Sequence, residues 1–130
     1  MLVKIRENIF LGDAKVKASE IKKNKIGVIV FVADEHIKID KLSKEVETFS
    51  ISLHSDTINK PYIKDIACHI PKYMTENGET VAVIGKTGMR GAAFVVARAI
   101  CEIEAKAIYE ILMEMVPMIG EGFKIGKAYL

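Results

Sequence analysis

A continuous run of apolar, largely β-branched residues from Ile26 to Ala33 limits most strongly what this chain can fold into. A strand without a polar face is typical of a parallel sheet that is covered on both sides. A similar run, Thr80 to Ile84, predicts the last strand of the chain. We therefore expect an α/β fold in which the strand Ile26–Ala33 lies at the centre of the sheet.

Weaker patterns predict the elements of the first half of the chain. Val3 to Gly12 indicates two short strands, and Ser19 to Lys25 indicates a short amphipathic helix. Thr48 to Leu53 alternates polar and apolar residues, which is typical of a strand with one covered face. The polar stretch from Asp34 to Val46 is expected to be a loop with a short helix.

Helical spacing of apolar residues dominates the second half. It predicts helices over Pro61–Met74, Ala92–Glu104 and Ala107–Met115. Pro71 should kink or end the first of these, and Pro117 should stop the last. Strands that alternate with helices imply one domain over residues 1–130, with a mostly parallel sheet of four or five strands and helices on both faces.

Composition excludes several classes of function. With 19 basic and 17 acidic residues the net charge is only +2, which favours neither nucleic-acid nor membrane-surface binding. The apolar runs are shorter than the ~20 residues of a membrane helix. The two cysteines, Cys68 and Cys101, and the three histidines, His36, His54 and His69, show no metal-binding spacing. We expect no metal, no cofactor and, by elimination in the absence of a signal-peptide pattern, a cytoplasmic location.

The segment after the last predicted strand is the one place with the pattern of a binding site. A buried strand, a glycine-spaced turn and a helix start bring backbone N–H groups together, and the helix dipole adds about half a positive charge. Lysine and arginine side chains in the turn would add charged donors. The predicted anion-binding residues are Gly85, Lys86, Thr87, Gly88, Met89, Arg90 and Gly91.

Two common phosphate-binding loops do not fit this segment. A Walker A loop that starts at Gly85 would need glycine, lysine and a hydroxyl residue where Arg90, Gly91 and Ala92 stand. A dinucleotide-binding fingerprint would need a glycine where Lys86 stands.

Four short motifs, taken in order, point to a third kind of loop. They are Ile9–Asp13, Ile26–Ala33, the aspartate Asp56 after a strand, and the stretch Gly78–Arg90. Their order and spacing resemble a small dual-specificity protein tyrosine phosphatase over most of the chain. The resemblance implies a cysteine-phosphatase-like fold, a phosphate-binding loop at residues 85–91, and Asp56 at the position of the general acid.

The catalytic signature of that family, His-Cys-x5-Arg, is nevertheless incomplete. Alignment on Gly88 places Gly85 on the nucleophilic cysteine and leaves Arg90 one residue early, whereas alignment on Arg90 places Val83 and Ile84 on the His-Cys pair. A one-residue deletion between Gly88 and Arg90 keeps both anchors, again with Gly85 in place of cysteine. No alignment supplies a thiol.

Neither cysteine of the chain stands six residues before an arginine. Met74 follows Cys68 and Ala107 follows Cys101 at that spacing. Without a thiolate the phosphocysteine intermediate cannot form. The resemblance therefore implies a pseudophosphatase with no catalytic residue, in which Asp56 is vestigial.

The leading hypothesis is a catalytically inactive phosphatase-fold protein that binds a phosphorylated protein or a small phosphorylated ligand at residues 85–91. An alternative is an enzyme or binding protein of another class that uses the same loop for a nucleotide or a phosphorylated metabolite, with Asp56 or a histidine as base. A third hypothesis is a protein that acts only through interaction with partners. Residues 85–91 are also explained by a structural turn that binds no ligand. The apolar C-terminal helix, with Met113, Met115 and Met118, is explained by core packing or by a homodimer surface.

Overall fold

The computed structural model describes residues 2–32, 37–51, 69, 71–86 and 90–119, and it contains a five-stranded mixed sheet. The strands are β1 (Leu2–Arg6), β2 (Ile9–Gly12), β3 (Val28–Val32), β4 (Glu47–Ile51) and β5 (Val81–Gly85). The helices are α1 (Ala18–Lys23), α2 (helical residues 71–76), α3 (Arg90–Glu104) and α4 (Ile108–Ile119). The strand order is β1-β2-β5-β3-β4, with β1 antiparallel and the other strands parallel to one another. The predicted α/β class and mostly parallel sheet are confirmed.

The centre of the sheet is β5 and not β3. β5 lies between β2 and β3, and all five of its residues are buried. β3 is equally buried but lies one position away from the centre, so the prediction that Ile26–Ala33 is central is wrong. Both strands are interior, and burial on both faces produces the same apolar pattern at either position.

Side chains alternate between two apolar layers, one on each face of the sheet. Leu11, Val30 and Val83 pack with α3 and α4 in the larger layer. Phe10, Ile29 and Ile84 face the other way and pack with Ile21 of α1 and with Ile37 and Ile39. The prediction of helices on both faces is therefore confirmed.

Most of the predicted elements of the first half are present. β1 and β2 form the expected hairpin, and α1 presents Ile21 inward. At the edge of the sheet, β4 turns Phe49 and Ile51 towards the larger layer, as its alternating pattern predicted. Residues 37–46 form turns and extended chain without the predicted short helix, and residues 33–36 lie outside the described residues.

Pro117 was expected to stop the last helix and does not, because α4 continues through it to Ile119. Pro71 is the first of the helical residues 71–76, and most of the predicted helix before it, residues 61–68 and 70, lies outside the described residues. Proline removes one N–H donor, whose bond in α4 would reach the carbonyl of Met113. That loss falls in the last turn, where carbonyl groups can be bonded by water instead. The position of Pro117 is thus tolerated.

A charged cluster joins β1 to the junction between α3 and α4. The guanidinium of Arg6 donates from Nε to Glu104 Oε2 at 2.7 Å and from Nη2 to Glu104 Oε1 at 3.3 Å. Nη2 also donates to Glu114 Oε2 at 2.8 Å, and Nη1 donates to the carbonyl of Ile5 at 3.1 Å. Lys106 Nζ lies 3.5 Å from Glu104 Oε1 and 3.8 Å from Glu114 Oε1. The cluster connects the first strand to the last two helices.

The cluster predicts a specific dependence of stability on pH. The hydrogen bond from Arg6 lowers the pKa of the Glu104 carboxyl, and burial opposes this shift. A carboxyl with a lowered folded-state pKa stabilises the fold above its unfolded-state value of about 4.3, and this contribution is lost as the pH falls through the folded-state pKa. We expect urea denaturation at successive pH values to show a steeper loss of stability below about pH 4.3 in the wild type than in Glu104→Gln. Parallel curves for the two proteins would contradict this assignment.

Candidate phosphate-binding site

The predicted anion-binding loop begins at the end of the central strand. Gly85 is the buried last residue of β5, Lys86 is exposed at a bend, and α3 begins at Arg90. The predicted strand and the predicted helix are therefore both present, and α3 begins two residues before the predicted Ala92. Thr87, Gly88 and Met89 lie outside the described residues, as does the side chain of Arg90.

The neighbouring strands end at the same edge of the sheet as β5. Gly12 of β2 pairs with Ile84, and Val32 of β3 pairs with Gly85. From β2 the chain continues to α1 on one face of the sheet, whereas from β5 it continues to α3 on the other face. Parallel strands whose connections leave to opposite faces open a crevice at their carboxyl ends, and ligands bind there. Gly85 and Lys86, with the start of the α3 backbone at Arg90, stand at this edge of the sheet.

The first turn of α3 packs closely on the end of β3. A Cβ atom added at Gly91 would lie 3.3 Å from Val32 Cγ1, so glycine permits this approach. No acidic residue stands in the first turn of the 15-residue helix α3. The first N–H groups of α3, which have no partner within the helix, and the helix dipole therefore present positive potential, and no carboxylate of the first turn opposes it.

Sequence reasoning did not select Asp13 as a site residue, although it follows β2 directly. Its Oδ1 accepts a hydrogen bond from the backbone N–H of Lys15 at 3.0 Å. Because Gly12 pairs with Ile84, this carboxylate stands at the same sheet edge as the loop. The sequence feature that could have pointed to Asp13 is its position directly after Gly12, at the end of a predicted strand. Its negative charge opposes anion binding, so binding there would depend on the loop amides and the basic side chains.

The cysteine Cys101 is far from this edge. It is a free, buried thiol on α3, within the larger apolar layer. Ten helical residues separate it from Gly91, which corresponds to about 15 Å along the helix axis. Cys101 therefore lies about three helical turns away from the start of α3. Cys68, Asp56, His36 and His54 lie outside the described residues.

Within the described part of the chain, no group of three or more histidine, cysteine, aspartate or glutamate residues is placed to hold a metal ion. None of its helices combines the length and apolar character needed to cross a bilayer.

The methionines of the C-terminal helix differ in their environment. Met115 is completely buried in the larger apolar layer, as core packing predicted, whereas Met113 and Met118 are exposed. Tyr109 is exposed on the same helix. A homodimer through this surface stays a prediction.

Known proteins resemble the chain in structure, but sequence comparison finds no relative. No protein-family model matches the chain, and no curated protein matches it. Solved structures that resemble it include human DUSP28, with a TM-score of 0.80 and 14% identity over 98% of this chain and 86% of that one. The human tyrosine phosphatase-like serine/threonine/tyrosine-interacting protein has a TM-score of 0.81 and 14% identity over 98% and 89%.

A third similar structure is that of PTPMT1 in complex with PI(5)P. Its TM-score is 0.78, with 15% identity over 99% of this chain and 89% of that one. These similarities show that the chain has the fold of the dual-specificity phosphatases, as the four sequence motifs implied.

Proposed function

We propose that this protein is a catalytically inactive member of the phosphatase fold that binds the phosphoryl group of a phosphorylated protein or small ligand at residues 85–91. The observation that carries the proposal is the junction of β5 and α3 at the centre of the sheet. In this fold class that junction corresponds to the phosphate-binding loop, and here it starts with a glycine in place of the nucleophilic cysteine.

The chemistry of residue 85 supports the absence of covalent catalysis. Dephosphorylation by a cysteine phosphatase requires a thiolate that attacks phosphorus, and glycine has no side chain to do so. The thiol of Cys101 lies about three helical turns from the loop, since ten residues at ~1.5 Å each separate it from Gly91. In this proposal Asp56 has no leaving group to protonate.

Binding of a phosphoryl group does not need the missing thiol. Backbone N–H groups at the start of a helix hold anions without special side chains, and α3 is long enough to have a full dipole. Lys86 and Arg90 carry positive charge at either end of the loop. PTPMT1, which shares the fold, was solved with the phosphoinositide PI(5)P, and this supports a phosphorylated ligand class here.

Two measurements on the purified protein test the proposal together. After metal stripping, hydrolysis of p-nitrophenyl phosphate should not exceed the rate in buffer. Titration with inorganic phosphate should move the backbone amide resonances of residues 85–91. Arg90→Ala should weaken phosphate binding about ten-fold, because a hydrogen bond to a charged group contributes about 1.5 kcal/mol or more.

Arg98→Ala is the matched control, because Arg98 lies two turns further along α3 and pairs with Glu102 at 3.8 Å. It should leave phosphate binding unchanged. The proposal is wrong if turnover appears and disappears on substitution of a single loop residue, or if phosphate moves no amide of residues 85–91.

A further inference from the structure

A groove with a volume of about 770 Å³ lies at the opposite end of the sheet from the phosphate-binding loop. It runs between α1, with the turn that follows it, and residues 41–46. Gly27 lines it and immediately precedes β3, whereas the loop begins at Gly85, the last residue of β5. β3 and β5 are parallel and in register from Val28 opposite Val81 to Val32 opposite Gly85. Five residues of strand, about 16 Å, therefore separate the two places.

The groove combines an apolar lining with a basic rim. Leu42 and Val46 are partly buried against the smaller apolar layer and line one side. Three exposed lysines, Lys22, Lys25 and Lys41, also line the groove. Lysine stems extend the apolar surface while the ammonium groups stay in water. The lining is thus suited to a ligand with an apolar body and a charged end.

The positive charge of the rim is not balanced within the protein. In the part of the chain that the structure describes, none of Lys22, Lys25 and Lys41 forms an ion pair. Glu45 also lines the groove. The carboxylate of Glu79 stands at its edge, where Oε2 lies 2.7 Å from the position of a Cβ added at Gly27. Three ammonium groups and two carboxylates therefore surround the groove, and the excess of one positive charge favours an anionic ligand.

Two of these lysines occupy backbone conformations that favour glycine. Lys25 has a φ of 55° and Lys41 a φ of 62°. At the end of α1, the N–H of Lys25 donates to the carbonyl of Lys22 and the N–H of Ile26 donates to that of Ile21, both at 3.1 Å. This is the Schellman arrangement, in which glycine is the usual residue at the position of Lys25. Both lysines can thus be replaced by glycine without backbone strain, which gives a clean test of their side chains.

We propose that this groove binds a small amphipathic anion, in which an apolar chain or ring carries a carboxylate or a phosphate. Size favours a small ligand over a protein. The volume lies within the roughly 300–1,000 Å³ of small-molecule sites. The twelve residues that line the groove are fewer than the roughly 20–30 residues that each side of a stable protein interface contributes.

The test uses decanoate as the probe, in an NMR titration of the complete chain at concentrations where decanoate is monomeric. Decanoate should move the amide resonances of residues 18–27 and 41–46, and decanol should bind more weakly at the same sites. Lys25→Gly and Lys41→Gly should each weaken decanoate binding about two- to five-fold, as expected for a solvent-exposed charge pair. Their melting temperatures should be unchanged or higher, because glycine relieves the positive φ.

Lys23→Gln and Lys44→Gln are the matched controls. Both lysines are exposed and close in sequence to the groove, but neither lines it. They should leave decanoate binding unchanged, which separates a local contact from a general effect of net charge.

Several results would overturn the proposal. They are equal binding of decanol and decanoate, unchanged affinity in both glycine variants, or resonance changes confined to residues 85–91 or to α4. Binding to vesicles that contain phosphatidylserine without binding to monomeric decanoate would indicate a membrane surface and would equally contradict a small-molecule site. Inorganic phosphate alone tests residues 85–91, so failure of one site leaves the result for the other intact.

Discussion

Replacement of Leu112 by alanine is expected to lower the free energy of unfolding by about 2–5 kcal/mol. Leu112 is 1% exposed and belongs to the apolar layer that α3 and α4 form against the sheet. The substitution removes buried methyl groups and leaves a cavity that close-packed neighbours cannot fill completely. Denaturant titration monitored by circular dichroism measures the effect, with a lower midpoint and an unchanged slope expected.

The adjacent residue provides a control of nearly equal size. Met113 is 51% exposed on the same helix, so Met113→Ala should change the stability by less than about 0.5 kcal/mol. Similar losses for both variants would mean that α4 does not pack on the sheet through the face described.

Arg6→Ala is expected to lower the free energy of unfolding by about 1–2 kcal/mol. The guanidinium makes two hydrogen bonds to Glu104 and one to Glu114, and its loss leaves the two carboxylates with Lys106 as their cation. Hydrogen bonds to charged groups contribute about 1.5–3 kcal/mol, but partial exposure of the cluster screens part of this contribution. Chemical denaturation at neutral pH measures the loss.

An exposed ion pair between β1 and the turn that follows it gives the comparison. Lys4 pairs with Glu7 at 3.2 Å in a solvent-exposed position, so Lys4→Ala should cost less than about 0.5 kcal/mol. If Arg6→Ala were as mild as Lys4→Ala, the cluster would not link β1 to the helices energetically.

The elements that could be predicted from sequence are those whose local pattern has a single physical explanation. The apolar run of β3 cannot be solvated on either face, and the alternation in β4 matches one covered face, with Phe49 and Ile51 turned inward. The strand and the helix on either side of residues 86–89 were predictable for the same reason, because a buried apolar strand and an apolar helix each have a distinct sequence pattern. The resemblance to the dual-specificity phosphatases additionally predicted the order of these elements along the chain.

The features that could not be predicted depend on contacts between distant parts of the chain. Arg6 lies 98 residues from Glu104 and 108 from Glu114 in the sequence, and no local sequence pattern predicts these ion pairs. The central position of β5 is a matter of the spatial order of the strands, and the apolar patterns of β3 and β5, both buried on two faces, do not distinguish the two positions. The groove beside α1 likewise requires two separate segments, so its lysines are ordinary surface residues in the sequence.

A crystal structure of the protein grown with phosphate would decide whether residues 85–91 bind a phosphoryl group. We expect electron density for one phosphate over the backbone amides of residues 85–91, hydrogen-bonded to main-chain N–H groups and to Arg90, with no sulfur atom within reach of the phosphorus. A loop that stays empty at saturating phosphate, or a cysteine Sγ positioned opposite Arg90 for in-line attack, would contradict it.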